Sequence, residues 1–147
     1  MVNDRIIKVR RELAKAELDA IFISQAENRR YLSQFTGSAG FLLISMESAI
    51  LATDFRYVEQ AKGQAPDFEV VSIKGDTSRW FPELIREFEM ERLGFEANDL
   101  SFFEADDLSL AAHQKLTGTQ GEEQIQLVPT EGLVESIRAV KEEDIKE

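Results

Sequence analysis

Arg30, Tyr31, Phe35, Arg56 and Tyr57 are the side chains whose types and spacing suit recognition of a small polar substrate. An arginine fork grips a carboxylate through two parallel N–H donors, and aromatic rings beside it shape a pocket. Arg29, next to Arg30, belongs with the same set. A purely structural reading stands beside this one. Arg56 then pairs with a local acid and Tyr57 packs, as side chains in surface ion pairs commonly do. On the residues alone, both readings stay open.

These residues flank two short apolar runs. Thr36-Gly37-Ser38-Ala39-Gly40 leads into Phe41-Leu42-Leu43-Ile44-Ser45, Met46-Glu47-Ser48 interrupts, and Ala49-Ile50-Leu51-Ala52-Thr53 follows. So short a break predicts an antiparallel hairpin, because parallel neighbours need a long crossover. The chain therefore returns to where it started. There Asp54 is placed to cap a helix with Arg56 and Tyr57 in its first turn, which Pro66 ends.

Elsewhere, Ile6, Val9, Leu13 and Ala16 recur at helical spacing behind a cap at Asn3 or Asp4. Ala20-Ile21-Phe22-Ile23-Ser24 is a compact apolar run of the kind buried on both faces of a sheet. Residues 27–32 read as a short helix and 68–73 as a strand. Gly75-Asp76-Thr77 turn into a helix reaching about Met90, with Phe81, Leu84, Ile85 and Phe88 on one face. Residues 92–96 form a brief strand, and Ser101-Phe102-Phe103-Glu104 has the form of a capping box opening a helix to Leu116. After a polar loop at 118–123, residues 124–128 alternate like a strand. Pro129-Thr130 are expected to stop it and begin a last helix through Leu133, Val134, Ile137 and Val140. Strands alternating with helices, plus one hairpin, predict a single α/β domain over residues 1–147: a mixed, roughly six-stranded sheet flanked by helices. Residues 141–147 keep helical spacing without a Gly or Pro stop, from which a chain that continues beyond Glu147 is expected.

Composition narrows the functions. A net charge of −11 opposes a nucleic-acid partner, whose phosphates need a basic footprint. It suits a solvated, soluble surface. The sequence has no apolar run of membrane-spanning length and no basic-then-apolar leader pattern, and the chain lacks cysteine. A cytoplasmic protein is the expectation, with no membrane partner.

Most other motifs reduce to structure. The Gly-Ser-Ala-Gly loop precedes a strand and no Lys follows it, whereas phosphate cradles follow a strand and open a helix. It is read as a turn. Asp106-Asp107, Glu122-Glu123 and Glu142-Glu143-Asp144 are sequence neighbours, which do not point at one target, so they face solvent. His113, the only histidine, has no Ser-Asp partnering and no His-Glu-x-x-His context. Trp80, Phe81 and Phe88 fall on an amphipathic helix and are assigned to the core. No catalytic residue and no metal ligand set can be assembled.

The ordered runs Asn28-x-x-Tyr31-Leu32-x-x-Phe35-x-Gly37-Ser38-x-Gly40, Thr53-Asp54-x-Arg56-Tyr57, Gln60-Ala61, Gly132-Leu133-Val134 and Ile137-Arg138-Ala139-Val140-Lys141 resemble the N-terminal domain of the creatinase, prolidase and aminopeptidase P family. The likeness spans essentially the whole chain. One departure is Phe55, where members of that family often carry Gly. The resemblance implies a fold with a ribonuclease H-like motif. It also implies a non-catalytic N-terminal domain of an Xaa-Pro dipeptidase or aminopeptidase, with no cofactor of its own. Two divalent ions (manganese, cobalt or zinc) belong, on the same resemblance, to a C-terminal catalytic domain absent from this chain. That domain, a second copy in a homo-oligomer such as a dimer, and short Xaa-Pro peptides are the implied partners. The domain itself is implied to help build the oligomer and to narrow a neighbouring subunit's active site. A creatinase-like amidinohydrolase, a free-standing binding module and a nuclease-like domain on a similar sheet are the alternatives.

Overall fold

The structure, a computed structural model, describes residues 4–75, 77–86, 90–96 and 126–139. Its centre is β1 (Ala20–Ile23), four apolar residues buried without exception. Alternation along a strand sends successive side chains to opposite faces, so Ile21 and Ile23 join one core while Ala20 and Phe22 join the other. A continuous apolar run in the sequence thus becomes a strand covered on both sides.

Around it, β2 (Phe41–Ser45), β3 (Ala49–Thr53), β4 (Glu69–Ser72), β5 (Arg92–Glu96) and β6 (Gln126–Thr130) complete a six-stranded mixed sheet in the order β4-β3-β2-β1-β5-β6. The β2–β3 hairpin is antiparallel, with Leu42 opposite Leu51 and Leu43 opposite Ile50. Its turn is closed by Ser45 N–H donating to Ser48 O at 2.9 Å. β2 is also antiparallel to β1, while the β1–β5, β3–β4 and β5–β6 pairs are parallel. Every strand except β2 therefore ends at the same edge of the sheet.

Helices α1 (Asp4–Ala16), α2 (Ala26–Ser33), α3 (Val58–Gln64) and α5 (Leu133–Arg138) cover one face, through Ile6, Val9, Leu13, Leu32, Ala61, Val134 and Ile137. The other face carries α4 (Thr77–Arg86), where Trp80, Phe81, Leu84 and Ile85 pack on Phe22 and Leu43. Phe22 is ringed by Phe41, Trp80 and Phe81 at 5.2 to 6.0 Å between centroids. These are the edge-to-face and stacked spacings aromatic groups favour.

Three expectations change. Pro129 and Thr130 belong to β6 instead of ending it, and α5 begins at Leu133 behind Gly132. Proline is tolerated there because β6 is an edge strand within the described sheet. Ala16 is exposed; the apolar stripe of α1 stops at Leu13. The helix after Asp54 opens as a 3-10 turn, Phe55–Tyr57, before α3. The described part of α4 ends at Arg86, and residues 87–89, over which the helix is expected to continue toward Met90, lie outside the described residues. The helix expected over 101–116, His113, Phe88 and the three acidic runs lie outside the described residues.

Candidate functional site

The loop after α2 is built by buried groups. Gln34 closes α2 in a left-handed conformation, φ 72°, and turns the chain back toward the sheet. Phe35 then enters the core with no exposed surface. Its ring lies where a Cβ on Gly37 would have to go, and Gly40 passes against Ala52 O and the same ring. Glycine at 37 is thus demanded by close approach, and at 40 a Cβ would meet a tight contact. Arg29 secures the loop from below: Nη1 donates to Gly40 O at 2.8 Å and Nη2 to Gly37 O at 3.0 Å. Thr53 Oγ1 donates to Ala39 O. On the outer side, Thr36 is held by Gln60 and Gln64 of α3.

Asp54 and its neighbours stand across from that loop. Asp54 Oδ1 accepts from the backbone N–H of Arg56 at 2.8 Å and from Arg56 Nε at 3.0 Å. The bond from the Arg56 backbone, and then that from its side chain, hold the Asp54 carboxyl below its usual value, while the side-chain bond and the Asp54 charge push the guanidinium up. The Arg56 guanidinium sits 5.4 Å from the Tyr57 ring centre, and Tyr57 packs edge-on to Phe35 at 6.2 Å. Tyr57 OH and Ser38 Oγ share a 2.8 Å hydrogen bond. Phe35, Ser38, Asp54, Arg56 and Tyr57 are thus one connected cluster.

Of the five residues nominated from sequence, the structure gathers three. Tyr31 is half-buried on the α1 side, under the Arg5 guanidinium at 4.1 Å, and its carbonyl accepts from Arg5 Nη1. Arg30 is exposed on α2. Neither lines the cleft described next, and Phe35, Arg56 and Tyr57 stand beside it without lining it. Phe35 supports the cluster from inside the core and does not reach the surface. Arg29 is a buried clamp on the loop, not an exposed fork.

A cleft of about 860 Å³ opens beside this cluster, at the edge where five strands end. Its floor and walls include Ser24 after β1, Ser38 and Gly40 before β2, Asp54 and Phe55 after β3, and Lys74 after β4. Trp80 of α4 closes the far side. The chain leaves β3 toward one face of the sheet and β4 toward the other, so the following loops part and leave a crevice. Open α/β sheets bind ligands at such switch points, and the volume suits a small-molecule or peptide-end site. Phe55, 74% exposed, stands at the rim. Ser24, Lys74 and Trp80 were not legible as site residues, because only the strand order brings them together.

A second polar centre lies behind the cleft. Glu96, 7% exposed at the end of β5, accepts from Ser24 N–H at 2.9 Å, Gln25 N–H at 2.8 Å and Asn28 Nδ2 at 2.6 Å. Burial pushes its carboxyl up; the three donors oppose that, and the Glu135 charge adds to it. Asn28 also meets Glu135 and Arg138 of α5. Sequence reading missed this centre. Its signals were an acid ending an apolar strand and the presence of Asn28 and Arg138 in two separate motif runs.

Among the described residues no three His, Asp or Glu side chains converge as metal ligands. The site residues found here do not fit a metal centre.

Comparison with known proteins places this geometry. The Creatinase/Prolidase N-terminal domain family matches residues 5–140. A Bacillus subtilis protein named as the uncharacterized peptidase YqhT is 33% identical over 143 residues, 97% of this chain and 38% of its own length. The Xaa-Pro dipeptidase from Bacillus anthracis superposes with a TM-score of 0.76 at 34% identity, over 97% of this chain and 38% of that one. The N-terminal domain of the cytoplasmic peptidase PepQ from Mycobacterium tuberculosis H37Rv gives 0.75 at 38% identity, over 93% of this chain and all of that one. The chain thus spans under two fifths of the length of the first two relatives.

Proposed function

The chain belongs to the Creatinase/Prolidase N-terminal domain family, and from that premise we propose that it is the non-catalytic N-terminal domain of an Xaa-Pro dipeptidase or aminopeptidase. In this reading it helps assemble a homodimer and presents the cleft edge to a neighbouring subunit's active site, restricting access to short Xaa-Pro peptides. Two divalent ions, manganese, cobalt or zinc, would be held by a C-terminal catalytic domain outside this chain, where they would activate water and polarise the scissile carbonyl. No step of that hydrolysis is assigned to the residues described here. The enzyme would work in the cytoplasm, as PepQ is described to do.

The observation that carries the reading is the clustering of Ser38, Asp54, Arg56 and Tyr57 at the edge where five strands end. A loop and a helix start held that firmly are suited to meet another surface. Arg56, exposed and oriented by Asp54, keeps donors beyond Nε for a substrate carboxylate. Full-length Arg56→Ala is expected to lower kcat/KM of Xaa-Pro cleavage by about tenfold or more, as the loss of a charged hydrogen bond to substrate would. Its melting temperature should stay unchanged, because the side chain is outside the core. Unchanged kcat/KM together with unchanged melting temperature would remove Arg56 from the site.

A further inference from the structure

Asn28 is fully buried in the first turn of α2, yet its carboxamide is engaged at both ends. Nδ2 donates to Glu96 Oε2 at 2.6 Å and to Glu135 Oε2 at 3.0 Å, while Oδ1 accepts from Arg138 Nη1 at 2.7 Å. An amide has two N–H donors, so both are committed, one to β5 and one to α5. The other oxygen of Glu96 accepts the backbone N–H groups of Ser24 and Gln25. A continuous line of bonds therefore runs from Arg138 through Asn28 and Glu96 to the backbone that carries Ser24 and Ala26 into the cleft. Arg138 also lies 3.8 Å from Glu27, which sits in the first turn of α2.

We propose that Asn28 and Glu96 are positioning residues that make the cleft wall depend on the seating of α5. Helix α5 has six residues, too few to hold its shape without tertiary contacts, so its seat is two-state: docked or released. Release strips Asn28 of two of its partners inside the core. An unsatisfied buried amide is costly, and the cheapest relief is to move the first turn of α2, which shifts Ser24 and Ala26. A chain segment pulling on α5 would thereby reach the cleft without touching it. This inference rests on reading the cleft as the functional edge, but its test needs no peptidase activity, so the two fail separately.

Amide hydrogen exchange followed by NMR on the chain itself gives the test. Arg138→Met removes the donor on a partly exposed side chain and keeps its aliphatic stem. The amides of Ser24 and Gln25, at the far end of the line, should exchange about tenfold faster (about 1.4 kcal/mol). The β2 amides of Leu42 and Leu43 should keep their wild-type rates. Arg138→Lys should restore part of the protection, since an ammonium group still donates to Asn28 Oδ1. Glu135→Ala, which removes the acceptor that Asn28 Nδ2 uses, should act as Arg138→Met does, because the Glu135 side chain is exposed and its loss leaves the core intact. If Ser136 of α5 and Ala139 just after it speed up while Ser24 and Gln25 do not, α5 docks locally and the proposal fails. Equal acceleration at Leu42, Leu43, Ser24 and Gln25 would likewise overturn it, as a loss of global stability alone.

Discussion

At the scale of the residue, the loop between α2 and β2 shows how little freedom the site has. Phe35 fills the core, Gly37 and Gly40 make room for its ring, and the buried Arg29 guanidinium takes the two carbonyls that would otherwise be stranded. Gly37→Ala inserts a methyl group into that ring, an overpacking that costs about 1–3 kcal/mol. Chemical denaturation should show a lower midpoint with an unchanged slope; a midpoint equal to wild type would mean the loop relaxes freely. Arg29 illustrates the limit of sequence reading at this scale. Its type suggested a ligand fork, but its position in α2 turns it inward. Burial, which no local pattern reveals for an arginine beside another arginine, assigned the structural role to Arg29 and left Arg30 at the surface.

At the scale of the element, Glu96 ties the end of β5 to the head of α2. Burial raises its pKa above the ordinary 4.5, so the folded chain binds a proton there that the unfolded chain has already lost. The sign follows from linkage: between the ordinary and the raised value the native state holds more protons, so stability falls as pH rises through that window. Below 4.5 the contribution is fully present. Glu96→Gln cannot titrate, so its stability relative to wild type should improve as pH rises from about 4 toward neutrality, whatever constant cost the lost acceptor brings. Thermal unfolding of both proteins across that range checks it. A gap that widens with pH would mean that the donors from Ser24, Gln25 and Asn28 outweigh burial.

At the scale of the whole molecule, the sheet sends five strand ends to one edge and parts its helices across two faces, producing a cleft; among the described residues no three His, Asp or Glu side chains converge as metal ligands. Metal hydrolysis needs several ligands on one ion and an open position. The chain alone, titrated with manganese and offered Xaa-Pro dipeptides, is therefore expected to show neither stoichiometric micromolar binding nor turnover. Calorimetry and a proline-release assay would show the opposite if the peptidase activity resided here.

The sequence by itself determined the element types, because each follows from local periodicity: the both-faces-buried run at β1, the hairpin forced by Met46-Glu47-Ser48, the cap at Asp54 and the amphipathic stripe of α4. The family, too, was readable from the motif runs around Asn28 and Arg138. Boundaries slipped where a local rule met a tertiary exception, as at Pro129, which an edge position lets into β6. Strand order was a decision of the tertiary structure alone. It placed β1 between β2 and β5, brought Ser24, Lys74 and Trp80 around one cleft, and set Asn28 against Glu96 and Arg138. Such pairings join residues up to 110 positions apart. Hydrophobic patterning says which face of an element is buried but not which other element buries it, and the site exists only where those choices meet.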